Sequence, residues 1–128
     1  MSLWRAASEG NAKQLSAMLR SGKAAAGCNI TNTLGQTPLH VAVIAGQAEC
    51  VSVLLADPSL DVNRRDADLG WTPLHYAVFK KFPRIAVMLA ARGAEIDVLD
   101  HAGFSPVDLA FVDTYPPPRR DDFDLEQE

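Results

Sequence analysis

The sequence predicts an all-α fold, a solenoid of stacked helix-turn-helix units. The main observation is a hexapeptide that recurs as Thr-Pro-Leu-His-Val-Ala from residue 37, Thr-Pro-Leu-His-Tyr-Ala from residue 72, and the more divergent Ser-Pro-Val-Asp-Leu-Ala from residue 105. Its copies are 35 and 33 residues apart. Self-similarity at such a step is typical of proteins whose repeats are single supersecondary units stacked on their neighbours.

Each complete copy of the hexapeptide has the chemistry of a helix start. Thr37 and Thr72 are favourable N-cap residues, because the threonine hydroxyl accepts a hydrogen bond from a backbone N–H group that the first turn leaves unpaired. The proline that follows occupies the first helical position, where its missing N–H costs nothing. We expect His40 and His75 to bond back to the threonine hydroxyl or to a neighbouring loop carbonyl, and we interpret both as structural.

Thr-Pro-Leu-His-x-Ala at a step near 33 residues resembles the ankyrin repeat. The resemblance covers residues 3–113 and implies helix-turn-helix units that are joined by β-hairpin-like turns. The opening residues align with the second repeat without a gap, Leu3 with Leu39 and Gly10 with Gly46. The sequence therefore predicts an ankyrin repeat domain over residues 1–115 and a Pro-rich, then acidic tail over residues 116–128. Within the domain we predict an incomplete N-terminal repeat (1–31), two repeats (32–63 and 64–97) and a C-terminal half repeat (98–115).

The predicted helices follow these repeats in pairs. First helices are expected from residue 3 to Gly10, over residues 37–45 and 72–80, and from residue 105 to about residue 112. Second helices are expected after Asn11 and over residues 48–56 and 84–92. Lys81 stands where other repeats have glycine at a left-handed turn, which costs about 1 kcal/mol of backbone strain. Three prolines after Tyr115 exclude a second helix from the last repeat.

Composition and charge exclude several classes of function. The chain is 48% hydrophobic and 22% charged, which is typical of a globular domain, and no apolar run reaches membrane-spanning length. The net charge of −4 lies mostly in the tail, which argues against nucleic-acid binding because that function needs a basic surface. With two cysteines and no signal-peptide pattern, we expect a cytoplasmic or nuclear protein.

No group of residues indicates catalysis. Cys28 and Cys50 lack the spacing of a zinc site, and residues 66–68 begin like a calcium loop but lack its later glycine and glutamate. No glycine-rich phosphate loop is present. The sequence therefore predicts no enzyme activity, cofactor, metal or small-molecule substrate.

The resemblance implies a protein partner that binds the concave face, which turn tips and first helices form in ankyrin proteins. Six of the corresponding positions carry apolar side chains where the fold is expected to leave them open to solvent, a property typical of interaction surfaces: Leu34, Ile44, Leu69, Trp71, Phe79 and Phe104. Gln36, Lys80 and His101 complete the predicted partner-binding set. The alternative is that Trp71 and Phe104 fold back on their own turns and stiffen them.

The acidic tail offers a second hypothesis. Acidic and apolar residues alternate around Phe123 and Leu125, as they do in short docking peptides. The alternative for this tail is a solubilising extension without a binding role.

The predicted function is protein–protein interaction, as an adaptor or as an inhibitor that covers a partner's surface. One alternative is a regulatory or targeting ankyrin domain of a larger enzyme or membrane protein. Another rests on residues 96–100 and 105–110, which are similar to the small ankyrin inhibitors of cyclin-dependent kinases.

Overall fold

A computed structural model describes residues 2–20 and 31–116 of the chain. Within these residues six α-helices form three consecutive pairs: α1 (Leu3–Glu9) and α2 (Ala12–Arg20), α3 (Pro38–Ile44) and α4 (Ala48–Leu55), α5 (Pro73–Phe79) and α6 (Pro83–Ala91). The first helices α1, α3 and α5 pack on one another in series, and so do the second helices α2, α4 and α6. Since the described residues also contain no β-strand, the predicted all-α solenoid is confirmed.

The recurring hexapeptide begins helices α3 and α5 as predicted. The hydroxyl of Thr37 accepts a hydrogen bond from the backbone N–H of His40 at 3.3 Å, and Nδ1 of that histidine accepts one from the backbone N–H of Thr37 at 3.2 Å. Thr72 and His75 repeat this reciprocal capping box at the start of α5. Both helices are therefore fixed at their first turn by the same two side chains.

The turns between paired helices use left-handed residues. Gly10 and Gly46 adopt φ values of 75° and 71°, and Lys81 adopts φ 61° at the equivalent position between α5 and α6. The prediction that this lysine occupies a left-handed turn is confirmed. Its ammonium group donates to the carbonyl of Val112 at 3.0 Å, so the lysine also contacts the segment that follows the last turn.

An arginine side chain joins the second helices of neighbouring repeats by donating hydrogen bonds to backbone carbonyls. Arg92, which follows α6, donates from Nε to the carbonyl of Leu55 and from Nη2 to that of Asp57, both at 3.0 Å. These are carbonyls at the C-terminal end of α4, where a cation is stabilised by the helix dipole. In the loop that follows α4, Pro58 and Ser59 are exposed, whereas Leu60 is buried and packs in the core.

The core lies between the two helix layers and is continuous along the stack. Its fully buried aliphatic side chains come from all three helix pairs and from the last turn: Leu15, Leu39, Val51, Leu54, Leu89 and Leu109. Cys50 is also buried, and its thiol lies 3.8 Å from the carbonyl of Ala6. Each pair thus buries its apolar face against its neighbours, as expected of a repeat stack.

The prediction of a first helix over residues 105–112 is wrong. Only a 3₁₀ turn, Val107–Leu109, forms there. Ser105 still caps it, since its hydroxyl oxygen accepts the backbone N–H of Asp108 at 3.3 Å, and the Asp108 carboxylate accepts the backbone N–H of Ser105 at 2.8 Å in return. Short helices depend on packing an apolar face, and the Phe111 side chain one turn further on is 97% exposed. The capping signal was correct, but the packing that would extend the helix is missing.

Several predictions fall outside the described residues. Cys28 and the tail residues Phe123 and Leu125 lie there. The predicted repeat and domain boundaries stay a prediction. None of the helices within the described ranges is long and apolar enough to cross a membrane.

Candidate partner-binding surface

Three turns at a constant spacing of 34 residues form one edge of the stack. Each begins with an Asn or Asp whose side-chain Oδ1 accepts two backbone N–H groups of its own turn. These residues are Asn32, Asp66 and Asp100. A backbone hydrogen bond closes each turn, as from the N–H of Asp100 to the carbonyl of Phe104 at 2.8 Å. The turns are therefore rigid, which fixes the positions of the side chains they carry.

Hydrogen bonds join each turn to the next. The carbonyl of Leu34 accepts from the N–H of Ala67 at 2.9 Å, and the carbonyl of Leu69 accepts from the N–H of His101 at 3.0 Å. Leu34, Leu69 and His101 are thereby held along one line at the tips. We use the name turn face for the surface formed by these tips together with the last residues of α3 and α5 and with Lys80, which directly follows α5.

The motif histidines form a second set of bridges beneath the turn face. Nδ1 of His40 accepts a backbone N–H, so its proton is on Nε2, which donates to the carbonyl of Trp71 at 2.9 Å. His75 donates in the same way to the carbonyl of Phe104 at 3.0 Å. Burial lowers the pKa of both histidines, because the charged imidazolium is poorly solvated there. Both ring nitrogens of each are used structurally.

The predicted partner-binding residues divide by exposure. Leu34 is 51% exposed, and Lys80 and His101 are exposed as well. Five more are half-buried along the turn face: Gln36, Ile44, Leu69, Phe79 and Phe104. Ile44 and Phe79 end the equivalent helices α3 and α5, so they occupy matching positions in successive repeats. These eight residues give the face five apolar and three polar side chains.

The expectation that Trp71 is open to solvent is wrong, since its side chain is only 2% exposed. The indole stacks on His75 at a centroid distance of 5.7 Å, and Nε1 donates to Oδ2 of Asp100 in the next turn at 2.8 Å. The rings of Tyr76, Phe79 and Tyr115 pack around it at 4.8 to 5.4 Å. Trp71 therefore joins its own turn to the next one. This also differs from the alternative prediction, in which Trp71 folds back on its own turn and stiffens it.

Asp100 is the electrostatic centre of this cluster. Burial by itself raises the pKa of the Asp100 carboxyl, but the hydrogen bonds from Tyr115, Phe104, Trp71 and Ala102 outweigh it, and the net pKa is lowered. The side chain is therefore an ionised carboxylate at neutral pH. Its Oδ2 accepts the indole N–H and, at 2.6 Å, the hydroxyl of Tyr115.

Asp66 performs the same task one turn earlier. Its Oδ1 holds its own turn, and its Oδ2 accepts the hydroxyl of the buried Tyr76. Burial and the neighbouring carboxylate raise the pKa of that tyrosine, which stays protonated as the donor. In the first turn, Asn32 has an amide in place of the second oxygen and points it at Gln36. The acidic turns can therefore bind an aromatic donor, and the amide turn cannot.

Sequence reasoning missed Asp66, Asp100, Tyr76 and Tyr115 as members of this surface. The constant 34-residue spacing of the Asx residues was a usable signal for the two aspartates. For Tyr115 no such signal exists, because it follows the last recognisable repeat element and reaches Trp71 across 44 positions of sequence.

A second apolar surface lies at the C-terminal end of the stack. A groove of about 280 Å³ runs between α5, α6 and the 3₁₀ turn, and Val87, Ile96 and Val107 line it with more than half of each side chain exposed. No cluster of three or more His, Cys, Asp or Glu side chains with metal-binding geometry occurs in residues 2–20 and 31–116.

Comparison with known proteins agrees with this architecture. A family model described as ankyrin repeats (3 copies) matches residues 3–100. Protein phosphatase 1 regulatory subunit 27 of Mus musculus is 36% identical over 101 residues, which are 79% of this chain and 63% of the relative. The nuclear factor NF-kappa-B p105 subunit of Gallus gallus is 33% identical over 106 residues, 82% of this chain and 11% of the relative. The chain spans less than two thirds of the length of each relative. On the match to residues 3–100, the chain belongs to the ankyrin repeat family.

Proposed function

We propose that this protein is a non-catalytic interaction module that binds a protein partner through the turn face. The observation that carries the proposal is the alignment of solvent-accessible apolar side chains on successive turns and first helices. Leu34 and Leu69 are held in line by backbone hydrogen bonds between turns, and Lys80 and His101 lie exposed beside them. Apolar contacts rimmed by polar groups are the usual composition of a protein interface.

Rigidity supports the proposal. Each of the three turns on the turn face is closed by its own Asx side chain and joined to its neighbour, so its contact residues lose little conformational freedom on binding. A preorganised surface binds more tightly than a mobile one of equal area. The motif histidines, which are the best general bases in the sequence, use both ring nitrogens in structural hydrogen bonds.

The test is affinity capture with the full chain, followed by binding measurements with each purified partner. The variant Leu34→Glu/Lys80→Glu changes two exposed side chains of the turn face without removing a core contact. It should weaken a turn-face partner at least tenfold, because an apolar contact is lost and the local charge is reversed. Val87→Glu, on the C-terminal end face, is the matched control and should bind normally. If Val87→Glu abolishes binding while the turn-face variant retains it, the proposed surface is refuted.

A second candidate role is that of a regulatory subunit of protein phosphatase 1. It is supported by the similarity to regulatory subunit 27, which covers 79% of this chain. The purified phosphatase catalytic subunit should then bind the immobilised full chain at micromolar concentration or below, and the turn-face variant should weaken it. No binding at 100-fold higher concentration would oppose this role. We further propose that the protein acts in the cytoplasm or nucleus, which fractionation of expressing cells would test.

A further inference from the structure

The chain places one of its own tyrosines in an aromatic pocket on the turn face. After the 3₁₀ turn the backbone returns to the stack, and Tyr115 packs against Trp71 at a centroid distance of 5.0 Å and an interplanar angle of 89°. Phe104 and Phe79 contact the same ring edge-to-face at 6.0 and 6.3 Å. These distances and angles are those of favourable aromatic pairs. Three rings thus form the walls of a pocket that the fourth fills.

The floor of the pocket is the Asp100 carboxylate. Its Oδ2 accepts the hydroxyl of Tyr115 at 2.6 Å, and Asp100 is only 6% exposed. An ionised carboxylate accepts hydrogen bonds and donates none. A ligand that fills this pocket must therefore carry a donor at the far end of an aromatic ring. Tyrosine satisfies this condition, phenylalanine leaves the carboxylate oxygen without that bond, and phosphotyrosine brings a second negative charge to it.

The walls and floor are held by bonds that do not involve Tyr115. Backbone N–H groups of Ala102 and Phe104 fix Oδ1 of Asp100, and the carbonyl of Phe104 accepts from His75. Trp71 is held by its stacking on His75 and by its own bond to Asp100. The pocket is therefore built by the repeat stack, and Tyr115 enters it from the segment beyond.

The segment that carries Tyr115 lies on the surface. Phe111, Asp113, Thr114 and Pro116 are exposed around it, and the segment has no α-helix or strand. Its attachment includes an exposed hydrogen bond from Lys81 to the carbonyl of Val112. A surface segment that inserts one aromatic side chain into a preformed pocket has the geometry of a bound peptide.

We propose that the pocket formed by Trp71, Phe79, Asp100 and Phe104 is a binding site for a tyrosine side chain of an extended peptide segment, and that Tyr115 occupies it as an internal ligand. This inference rests on the proposed function and names the partner's chemistry: an unphosphorylated tyrosine in a non-helical stretch of a protein. Tyr115 and the partner's tyrosine compete for one carboxylate. A partner must therefore bind tightly enough to displace Tyr115 from the pocket.

The probe is a synthetic peptide with the chain's own sequence Phe-Val-Asp-Thr-Tyr-Pro-Pro-Pro-Arg, residues 111–119. It is titrated into the ¹⁵N-labelled full chain carrying Tyr115→Ala, with the indole N–H resonance of Trp71 as the readout. Trp4 supplies an internal control, since its indole N–H donates to the carbonyl of Gln36 in another part of the stack. We expect the Trp71 resonance to shift in a saturable way while that of Trp4 stays in place.

Three comparisons decide the outcome. The wild-type chain should bind the peptide at least tenfold more weakly than the Tyr115→Ala chain, because its pocket is filled. A peptide with phenylalanine for tyrosine should bind about tenfold more weakly, which corresponds to the loss of one hydrogen bond to a charged acceptor, and the phosphotyrosine peptide should not bind. Should the Ala variant fail to fold, Tyr115→Phe keeps the ring, loses the hydroxyl, and should bind the peptide more tightly than the wild-type chain does.

The inference is overturned if the tyrosine and phenylalanine peptides bind equally, or if no peptide shifts the Trp71 resonance in a folded variant. Either outcome would leave Tyr115 as a structural clasp of the last turn. Neither outcome affects the proposed function, which depends on the Leu34→Glu/Lys80→Glu comparison at side chains outside the pocket.

Discussion

The histidine bridges give the sharpest test of what holds the repeats together. His40 makes a capping bond through Nδ1 and an inter-repeat bond through Nε2. Asparagine places its side-chain oxygen near the position of Nδ1 but is too short to reach the carbonyl of the next repeat. His40→Asn therefore removes the bridge and keeps the cap, whereas His40→Ala removes both.

The expected magnitudes follow from these bonds. A neutral hydrogen bond contributes about 0.5–1.5 kcal/mol net, so with some lost packing His40→Asn should lower the free energy of unfolding by about 1–2 kcal/mol. His40→Ala also leaves the buried N–H of Thr37 without its partner, for a total of about 3–4 kcal/mol. The carbonyl of Trp71 still accepts from the N–H of Asp66 at 2.8 Å, which keeps the loss within that range.

The assay is urea denaturation followed by circular dichroism and tryptophan fluorescence, with His75→Asn as the matched variant. Contacts in a stack run between neighbours only. The His75 bridge holds the last turn, whereas the His40 bridge joins two helix pairs. His75→Asn should therefore lower the free energy of unfolding by less than His40→Asn does. It should also raise amide hydrogen exchange selectively around residues 98–116. Equal losses for His40→Asn and His40→Ala would refute the division of roles between the two ring nitrogens.

Three further predictions concern titration and backbone strain. Because burial lowers the pKa of His40 and His75, the unfolded chain binds more protons than the folded chain once the pH falls below about 6.5. The contribution of the two neutral histidines to stability is complete above that pH and declines below it. The urea midpoint should therefore fall from pH 7 to pH 5, and it should fall less in the variant His40→Asn/His75→Asn. Lys81→Gly should be about 1 kcal/mol more stable than Lys81→Ala by thermal denaturation, because only alanine retains the strain at φ 61°. Gly35→Ala should destabilise the protein more than Gly103→Ala does in the same assay, although both glycines have positive φ. A Cβ at Gly35 would lie 2.7 Å from a backbone nitrogen of the next repeat, whereas a Cβ at Gly103 meets nothing within 4 Å. Equal losses for the two glycine variants would contradict the close approach of neighbouring turns.

Much of the fold was predictable because its signals are local. Thr37 and His40 cap a helix through atoms three residues apart, and Gly46 or Lys81 ends one through its own φ. The observed bounds of α3 to α6 therefore agree with the predicted ones to within about a residue at each end. The helix over residues 105–112 failed because its start is local but its continuation depends on packing against another element.

The candidate surface was predictable only in outline. The resemblance placed Leu34, Leu69 and Phe104 on turns, and the structure places those turns side by side. Sequence could not show that Trp71 faces inward, because the residues that bury it, Asp100 and Tyr115, lie 29 and 44 positions away. The occupancy of the aromatic pocket is thus a long-range property.

The sequence by itself determined the repeat, its helix starts and its helix ends, because each depends on hydrogen bonds and dihedral angles within a few residues. It also determined that the motif histidines are structural, since the capping bond is part of the same local geometry. The tertiary structure alone decided which side chains face solvent and which fill the turn-face pocket. Those outcomes depend on how successive turns stack and on where the segment after the last repeat returns, and no local preference encodes either one.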